Sequence, residues 1–499
     1  MVMIFFCGIL SFSVIKYKLN KIIQENPIKI KKLFNKIMVF KKKYNFLLSF
    51  TILTTLILIL NFIIAKNLYA QIAIIREAET EKLLREICYP IFKVAGLDSK
   101  NLKIYIVNDS SINAFVAGGQ NIFVNSGLIK KFSDPSVIAG VIAHEIGHIA
   151  SSHLAKSGEE FSKNANATFL GYLLGIGAII SGNAQVGSAI LMGSSHIGNR
   201  LALKYNRSQE ESADILALKY LEKLKLPTKG LLEIMNYFQE QSNVYKNVID
   251  PYELTHPISS SRIKLIHNHN QKYKYANAEF DNKITKDFHR VQAKLGGFLD
   301  EIETSLRSRK NKFDADSNLA KSIAYFRKND FTKSNQIIDD LIKNNPRDGF
   351  LYELKAEFLF NQNKIYDAIF NYQKAIKYLD EQSKTLSQIA FANSILELKT
   401  SDEFLLNLAI KNLQQSQKYE DENALIFKSL ASAYKLNNND GKALLMLAEY
   451  NYILKETDKA EKFINSAIIE LEKTQDKVAK LRAQDLIEII KNSKEKSKK

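Results

Sequence analysis

Cysteine is nearly absent from this sequence, which holds only Cys7 and Cys88 among its 499 residues. Cys7 lies in an apolar, basic leader, so a mature chain would keep one thiol and form no internal disulfide. A lone thiol also excludes a metal site built on cysteines. Any metal site in this chain therefore has to use other side chains.

Acidic residues are scarce in the first 70 residues, where eleven Lys accompany one Glu and no Arg or Asp. This leader carries +10 of the net charge of +17, which leaves +7 for the other 429 residues. Nucleic-acid binding needs a concentrated basic face, and outside the leader the Lys-rich tail at 491–499 is the one basic run. The composition therefore argues against a nucleic-acid partner, and the length predicts two or more globular domains.

The leader has the order of an export signal. Lys41–Lys43 lead into an apolar run at 46–65 that ends near Ala70, as in a secretory signal peptide. The run of about 20 residues is also long enough to span a bilayer as an uncleaved anchor. In either case the positive-inside rule predicts that the residues after it are exported. Met38 stands just before this element and is an alternative start of translation.

A buried helix is predicted to begin at Pro135. Asp134 suits the N-cap, Pro135 suits the first helical position, and apolar residues then recur at helical spacing. Inside this helix stands the sequence HEIGH, residues 144–148. Because a helix turns once in about 3.6 residues, His144 and His148 project from one face and can grip one metal ion.

Glu145 is offset from the two imidazoles by about 100° and stands beside the ion without binding it. Zinc lowers the pKa of a bound water to about 7, and one carboxylate can complete its deprotonation. The pattern therefore predicts one Zn2+ per chain, with Glu145 as general base. The alternative is a chance grouping on a buried helix, where uncompensated His and Glu would cost on the order of a few kcal/mol each.

A tetrahedral catalytic zinc needs a third protein ligand, and a second helical segment offers one. The segment 207–214 reads RSQEESAD, so Glu210 and Asp214 are four residues apart and share a helix face. Glu210 is the predicted ligand, and Asp214 is predicted to accept a hydrogen bond from a ligand imidazole. Arg207, one turn earlier, is predicted to orient Glu210. From spacing alone, a solvated acidic face is the alternative.

HEIGH followed about sixty residues later by R-x-x-E-x-x-A-D resembles the HtpX/CAAX-prenyl-protease family of zinc metallopeptidases. The resemblance extends from about residue 84 to 267. It includes NAF at 113–115, GGQNIFV at 118–124, GLI at 127–129 and THP at 255–257 followed by Arg262. Several motifs in the same order make the resemblance specific. It implies a zinc-dependent endopeptidase whose third ligand is Glu210 rather than Glu211.

The resemblance also implies roles for further residues. Asn113 would hold the substrate backbone, while His256 and Arg262 would stabilise the oxyanion. In the exported, repeat-bearing branch of the family the matching His can take the fourth zinc position, so His256 is alternatively a latch. A turn histidine without a role is the third possibility. An edge strand that binds an extended peptide by strand addition would be formed by Ile122, Phe123 and Val124.

Residues 169–199 are strongly apolar and rich in Gly, with a break at Gly182-Asn183. Each half has about 14 apolar residues or fewer, which is short for a membrane span. We interpret the segment as a helical hairpin beside the active site that covers the cleft or touches a membrane surface. A plain core hairpin and a pair of spanning helices are the alternatives.

An internal repeat occupies 313–490, after a predicted helical bridge at 271–312. Small residues recur with the spacing of tetratricopeptide helix pairs, whose period is about 34. We expect about four repeats, two of them clear, with 385–440 degenerate. Such pairs stack into a solenoid with a concave surface, so docking of protein substrates or partners is the predicted use and stabilisation of the protease is the alternative. The small residues are Ala356, Ala368 and Ala375, and again Ala448, Ala460 and Ala467.

Together these patterns predict a mainly α protein. An α+β zincin-like metallopeptidase domain with a small β-sheet occupies 71–270, and an all-α tetratricopeptide-repeat solenoid follows. The resemblance to exported, repeat-bearing family members implies a bacterial periplasmic location. It also implies misfolded or misassembled outer-membrane proteins, or their assembly machinery, as substrates and partners. Two other functions stay open: a repeat-based chaperone with latched or minor protease activity, and an integral-membrane quality-control protease.

Overall fold

The computed structural model describes residues 74–97, 103–117, 121–151, 207–244 and 256–496. The predicted leader at 1–70 and the predicted hairpin at 169–199 lie outside these residues. Among the helices that are described, none combines the length and the apolar composition needed to cross a membrane.

A four-stranded sheet comes first along the described chain. Its strands are β1 (Ile74–Ile75), β2 (Lys103–Val107), β3 (Ala114–Ala117) and β4 (Asn121–Asn125), in the spatial order β1-β2-β4-β3. β1 pairs antiparallel with β2, β2 parallel with β4, and β4 antiparallel with β3. β2 and β4 are rich in β-branched and aromatic residues, which fit a pleated, half-buried surface.

The structure corrects the edge-strand role predicted for Ile122, Phe123 and Val124. These residues lie in β4, which is paired on both sides: Ile122 stands opposite Ile104 of β2 and opposite Val116 of β3. A strand with both neighbours in place has no free row of backbone groups to offer a peptide. The edge of the sheet at this end is β3.

We call the sheet and the helices up to residue 272 the first module. Among the described residues it has six helices, one between β1 and β2 and five after β4. The third of them, α3, begins at the predicted cap, where the Asp134 carboxylate accepts a hydrogen bond from the Ser136 N–H (2.8 Å). Val137 and Ile138 of α3 are completely buried and share one core with Ile106 and Ile122 of the sheet. The helices are α1 (Ala78–Val94), α2 (Ser126–Lys131), α3 (Pro135–Ala150), α4 (Arg207–Lys223), α5 (Lys229–Val244) and α6 (Ser260–Lys272).

The predicted bridge forms α7 (Asn282–Leu299) and α8 (Ile302–Ser308). On one side α7 belongs to the core of the first module through three apolar side chains, Phe288, Val291 and Leu295. On the other side it lies against the next helix of the chain, because a Cβ on Gly297 would be only 2.9 Å from the Cβ of Ile323. The bridge is therefore packed into both modules rather than being a free linker.

Ten helices of the described chain form the second module, which we call the array. Ala356, Ala368 and Ala375 are completely buried where successive helices meet, as small residues at tetratricopeptide contacts require. The degenerate segment 385–440 consists of helices joined by short turns like the rest, and the last helix extends past residue 490. The helices are α9 (Ala315–Arg327), α10 (Phe331–Asn344), α11 (Gly349–Asn361), α12 (Ile365–Tyr378), α13 (Lys384–Glu397), α14 (Glu403–Ser416), α15 (Ala424–Leu436), α16 (Asp440–Ile453), α17 (Thr457–Lys473) and α18 (Lys477–Lys496). The predicted fold class, mainly α with a small sheet and an all-α array, is confirmed.

Candidate metal centre

The two helices that carry the predicted ligands approach each other at a glycine. α3 carries His144 and His148, and α4 carries Glu210. A Cβ on Gly147 would lie 2.8 Å from the carbonyl oxygen of Ala213 on α4, closer than real Cβ atoms approach. The glycine in HEIGH therefore lets α4 lie against α3 with Glu210 facing the imidazoles.

Four potential ligand atoms meet at one point, and their side chains are at most 1% exposed. His144 Nε2 lies 3.1 Å from His148 Nε2 and 3.3 Å from Glu210 Oε2. His148 Nε2 lies 3.2 Å from Glu210 Oε1. His256, in the turn before α6, brings its Nδ1 to 3.3 Å from His144 Nε2 and 3.1 Å from Glu210 Oε1.

These separations fit a tetrahedral zinc ion. Nitrogen and oxygen ligands at about 2.0–2.1 Å from zinc are about 3.3 Å from one another. Five separations are 3.1–3.3 Å when the nearer Glu210 oxygen is taken for each nitrogen. One atom from each of the four residues lies within 4.8 Å of the other three, so His144, His148 and Glu210 could supply three ligands, with His256 beside them as a fourth.

The pKa shifts leave two ligands, His148 and Glu210, ready to bind a metal ion, whereas His144 would first release a proton to the solvent. Burial lowers the pKa of His148 to about 3, so its imidazole is neutral and has a lone pair to donate. Burial alone would also lower the pKa of His144, but Asp214 and Glu210 outweigh it and raise that pKa to about 9. Burial would raise the pKa of Glu210, but His256 and His144 hold it well below its ordinary value. Glu210 is thus an anion, and the site attracts positive charge.

The count of charged groups supports the same conclusion. Glu145, Glu210 and Asp214 are buried together, and Arg262 is the one permanent cation among the described residues that contact them. Uncompensated buried carboxylates are costly. A divalent cation at the ligand atoms would offset this excess of negative charge.

Asp214 and Arg262 support the ligands from behind. Asp214 Oδ1 lies 2.8 Å from His144 Nδ1, the ring atom on the far side from the ligand cluster. Arg262 donates hydrogen bonds from Nε and Nη2 to Asp214 (2.6 and 2.9 Å), and its Nη1 lies 2.7 Å from Glu210 Oε2. One guanidinium therefore fixes both carboxylates, and through Asp214 it also fixes the ring of His144.

Two predicted roles need correction. Arg262 is fully buried, and its nitrogens face Asp214, Glu210 and the carbonyl oxygen of Pro257 (3.1 Å), so its geometry is that of a positioning residue rather than an oxyanion donor. Arg207 is exposed on the first turn of α4, and no ion pair between it and Glu210 occurs within the described residues. The contact expected from Arg207 is made by Arg262 on α6.

Glu145 stands next to the ligand cluster and next to the edge strand. Its Oε1 lies 3.3 Å from His256 Nε2, and its carboxylate accepts a hydrogen bond from the backbone N–H of Val116 in β3. Burial raises the pKa of Glu145, which makes the carboxylate a stronger base. The sequence analysis did not identify Val116 as a contact of Glu145. The one signal available for it was its position directly after the NAF motif at 113–115.

Asn113 directly precedes β3 and is 9% exposed. Its backbone oxygen accepts a hydrogen bond from the Asn125 N–H (3.0 Å). Its side-chain Oδ1 is buried and has no hydrogen-bond partner among the described residues. The side chain is thus placed beside the edge strand with an acceptor available.

Comparison with known proteins agrees with this geometry. Residues 77–270 match the sequence profile of Peptidase family M48. The beta-barrel assembly-enhancing protease of Yersinia pestis is 24% identical over 300 residues, covering 59% of this chain and 60% of that protein. The protein of that name from Escherichia coli K12 is 23% identical over 344 residues, covering 67% and 64%.

The chain thus spans less than two thirds of the length of these curated relatives. Among solved structures, the APC/C hetero-tetramer Cut9-Hcn1 shows 14% identity and a TM-score of 0.26, covering 71% of this chain and 76% of that one, a likeness too weak to bear on the fold. The family match contains HEIGH, the Glu210 helix and the His256 turn, and so confirms the resemblance found in the motifs. Residues 77–270 thus resemble the peptidases of family M48 in sequence.

Proposed function

We propose that this chain is a zinc-dependent endopeptidase. One observation carries the proposal: buried ligand atoms of His144, His148 and Glu210 lie within 4.8 Å of one another, and the carboxylate of Glu145 lies beside them without joining them. Bound zinc would polarise the substrate carbonyl and lower the pKa of a water molecule to about 7.

The protein groups then divide the remaining work. Glu145 takes the proton of the attacking water on its carboxylate and passes it to the nitrogen of the leaving amine. Arg262 holds Glu210 and Asp214 in place, and Asp214 keeps the ring of His144 oriented. Burial of all these groups excludes bulk water, which strengthens each electrostatic contact.

The edge strand β3 is our candidate for substrate binding. Only β4 pairs with it among the described strands, so its outer side can add an extended peptide as a further strand. The Val116 N–H connects this side to Glu145. A peptide held along β3 would therefore run past the general base. Asn113, at the start of β3, is our candidate for a second contact to the substrate backbone.

The natural substrates we propose are misfolded or misassembled exported proteins, including those of the outer membrane. The support is the name of the relatives, beta-barrel assembly-enhancing protease, and the export signal expected at 46–65. The same signal supports a periplasmic location. The array offers a second, larger surface for docking such clients or the outer-membrane assembly machinery, and 169–199 is a candidate contact with a membrane surface.

Metal analysis tests the proposal directly. The purified protein should contain one equivalent of zinc, and chelation should remove both the zinc and the cleavage of casein. Added zinc should restore both, because the ligands are already arranged by the fold. A Glu211→Gln variant should keep both zinc and cleavage, since Glu211 is the carboxylate next to Glu210 but accepts a hydrogen bond from Ser261 Oγ (2.8 Å) instead of facing the imidazoles. Full activity in the metal-free protein would refute the proposal.

A second candidate function is favoured by His256. Its Nδ1 stands at the fourth corner of the ligand set and its Nε2 faces Glu145, so one side chain covers both the position of the reacting groups and the general base. In this state the protease is latched. The array could then serve as a chaperone, with proteolysis occurring only after His256 moves.

Replacing His256 by Ala tests the latch. We expect casein cleavage or self-cleavage to rise by about tenfold or more, because a closed state that dominates by ~1.4 kcal/mol or more is removed. The measurement is the initial rate of cleavage at equal zinc content. An unchanged or lower rate with zinc retained would instead support the alternative role of His256 as an oxyanion donor. His267→Ala, which changes an exposed histidine on α6, is the control.

A further inference from the structure

The array is joined firmly to the first module at one end. Gly297 of α7 lies directly against α9, where its missing Cβ would meet Ile323. Arg327 of α9 donates hydrogen bonds from Nη1 to the backbone oxygens of Gly297 and Asp300, both at 2.7 Å. This joint combines close packing with hydrogen bonds to a helix C-terminus.

The array touches the first module again, at a place far from this joint in sequence. The turn at 419–423, between α14 and α15, meets the chain between β1 and α1. Here the Arg76 guanidinium lies between two carboxylates. Its Nε donates to Glu81 of the first module (2.8 Å), and its Nη1 donates to Glu420 of the array (3.0 Å), while its Nη2 also contacts Glu420.

A second ion pair accompanies the first. Lys103, at the start of β2, contacts Glu422 and lies 3.8 Å from Asp421. These two acidic side chains are 69% and 77% exposed, so solvent screens them and the pair contributes little. Arg76 and Glu420 are only 24% and 19% exposed and meet through two nitrogens of one fork, which makes theirs the stronger contact.

The nature of this second contact differs from that of the joint. The core of the first module and that of the array share no residue, and neither includes the turn at 419–423. Neighbouring contacts are long hydrogen bonds, Arg85 to Ser383 (3.4 Å) and Gln382 to Tyr89 (3.5 Å). A cavity of about 100 Å³ separates the two surfaces. Charge, rather than apolar packing, holds the modules together here.

We propose that Arg76 and Glu420 form an ionic clamp. While the ion pair is made, the cleft between the array and the first module is closed; when it breaks, the cleft opens and the α7–α9 joint stays intact. An apolar contact would strengthen or persist in salt, whereas a contact of this kind weakens as ionic strength rises. The clamp thus gives the array two positions, set mainly by one half-buried guanidinium–carboxylate pair.

Distances between spin labels test the clamp. Labels at Lys93→Cys on α1 and Lys428→Cys on α15, both exposed positions, report across the cleft in a Cys7→Ser background, because Cys88 is buried and stays unlabelled. Glu420→Arg should lower the ratio of closed to open molecules by about tenfold and add a longer distance. Raising NaCl from about 0.05 M to about 0.5 M should shift the parent protein the same way.

A charge swap separates the clamp from general damage. Arg76→Glu combined with Glu420→Arg places the new guanidinium between two carboxylates again and should restore the short distance. Glu470→Arg, which breaks an ion pair to Lys473 inside α17 (2.8 Å), should leave the distance unchanged. If neither Glu420→Arg nor added salt changes the distance distribution between the labels, the clamp is overturned. It is also overturned if the double variant stays as open as Glu420→Arg alone.

Discussion

Replacing Glu145 by Gln is expected to lower the rate of casein cleavage by about 10²–10⁴-fold, the usual contribution of general acid–base catalysis. The carboxamide has the shape of the carboxylate and can still face Val116, but it cannot take a proton. Zinc content should stay at one equivalent, because Glu145 is not among the converging ligand atoms. The measurement is the cleavage rate alongside the metal content of the same preparation.

The effect of Glu145→Gln depends on the state of His256, because His256 faces Glu145. The substitution is therefore made both in the parent chain and in His256→Ala, where the baseline rate is expected to be higher. Cleavage that persists above about a tenth of the parent rate in both backgrounds would place the general base elsewhere. Loss of cleavage with full biological activity would favour the chaperone candidate.

Replacing Arg262 by Met is expected to lower the free energy of unfolding by about 3–5 kcal/mol, the cost of removing one partner from a buried ion pair. Asp214 and Glu210 would be left buried without the guanidinium that contacts both. Zinc affinity should fall about 10–100-fold, since the side chains that orient the ligands would be lost. Denaturant unfolding and metal titration measure the two effects.

Two further variants separate positioning from catalysis. Arg262→Lys keeps the charge but loses the fork, so it should recover stability only in part. Arg207→Met should change stability by no more than about 0.5 kcal/mol, because Arg207 is exposed. Normal stability and zinc affinity in Arg262→Met, with only the turnover rate reduced, would return Arg262 to the oxyanion role.

Local spacing explains what the sequence could predict about the site. The start of α3 at Pro135, the shared face of His144 and His148 and the shared face of Glu210 and Asp214 all follow from the helical repeat. These pairs are separated by four residues, so no knowledge of tertiary structure is needed to place them together. The period of the array, read from alanines, is local in the same sense, and the all-α fold that it predicts is confirmed.

The incorrect predictions concern features that depend on tertiary contacts, namely the order of the strands and the partner of Glu210. β4 was assigned to the sheet edge, but β3 pairs with its outer side. The composition of a single strand does not determine which strands become its neighbours. Arg207 was chosen to orient Glu210 because it is one turn away in sequence. Arg262, fifty-two residues from Glu210, makes that contact because α6 packs beside α4.

The ligand set is gathered from stretches of chain far apart in sequence, which bears on how the enzyme is made. Glu210 follows His148 by 62 residues and His256 follows it by 108. Elongation at about 5–20 residues per second puts the carboxylate about 3–12 s behind the imidazoles. During that interval the growing chain contains two of the three proposed zinc ligands, so the ligand set cannot be complete before residue 210 has been made.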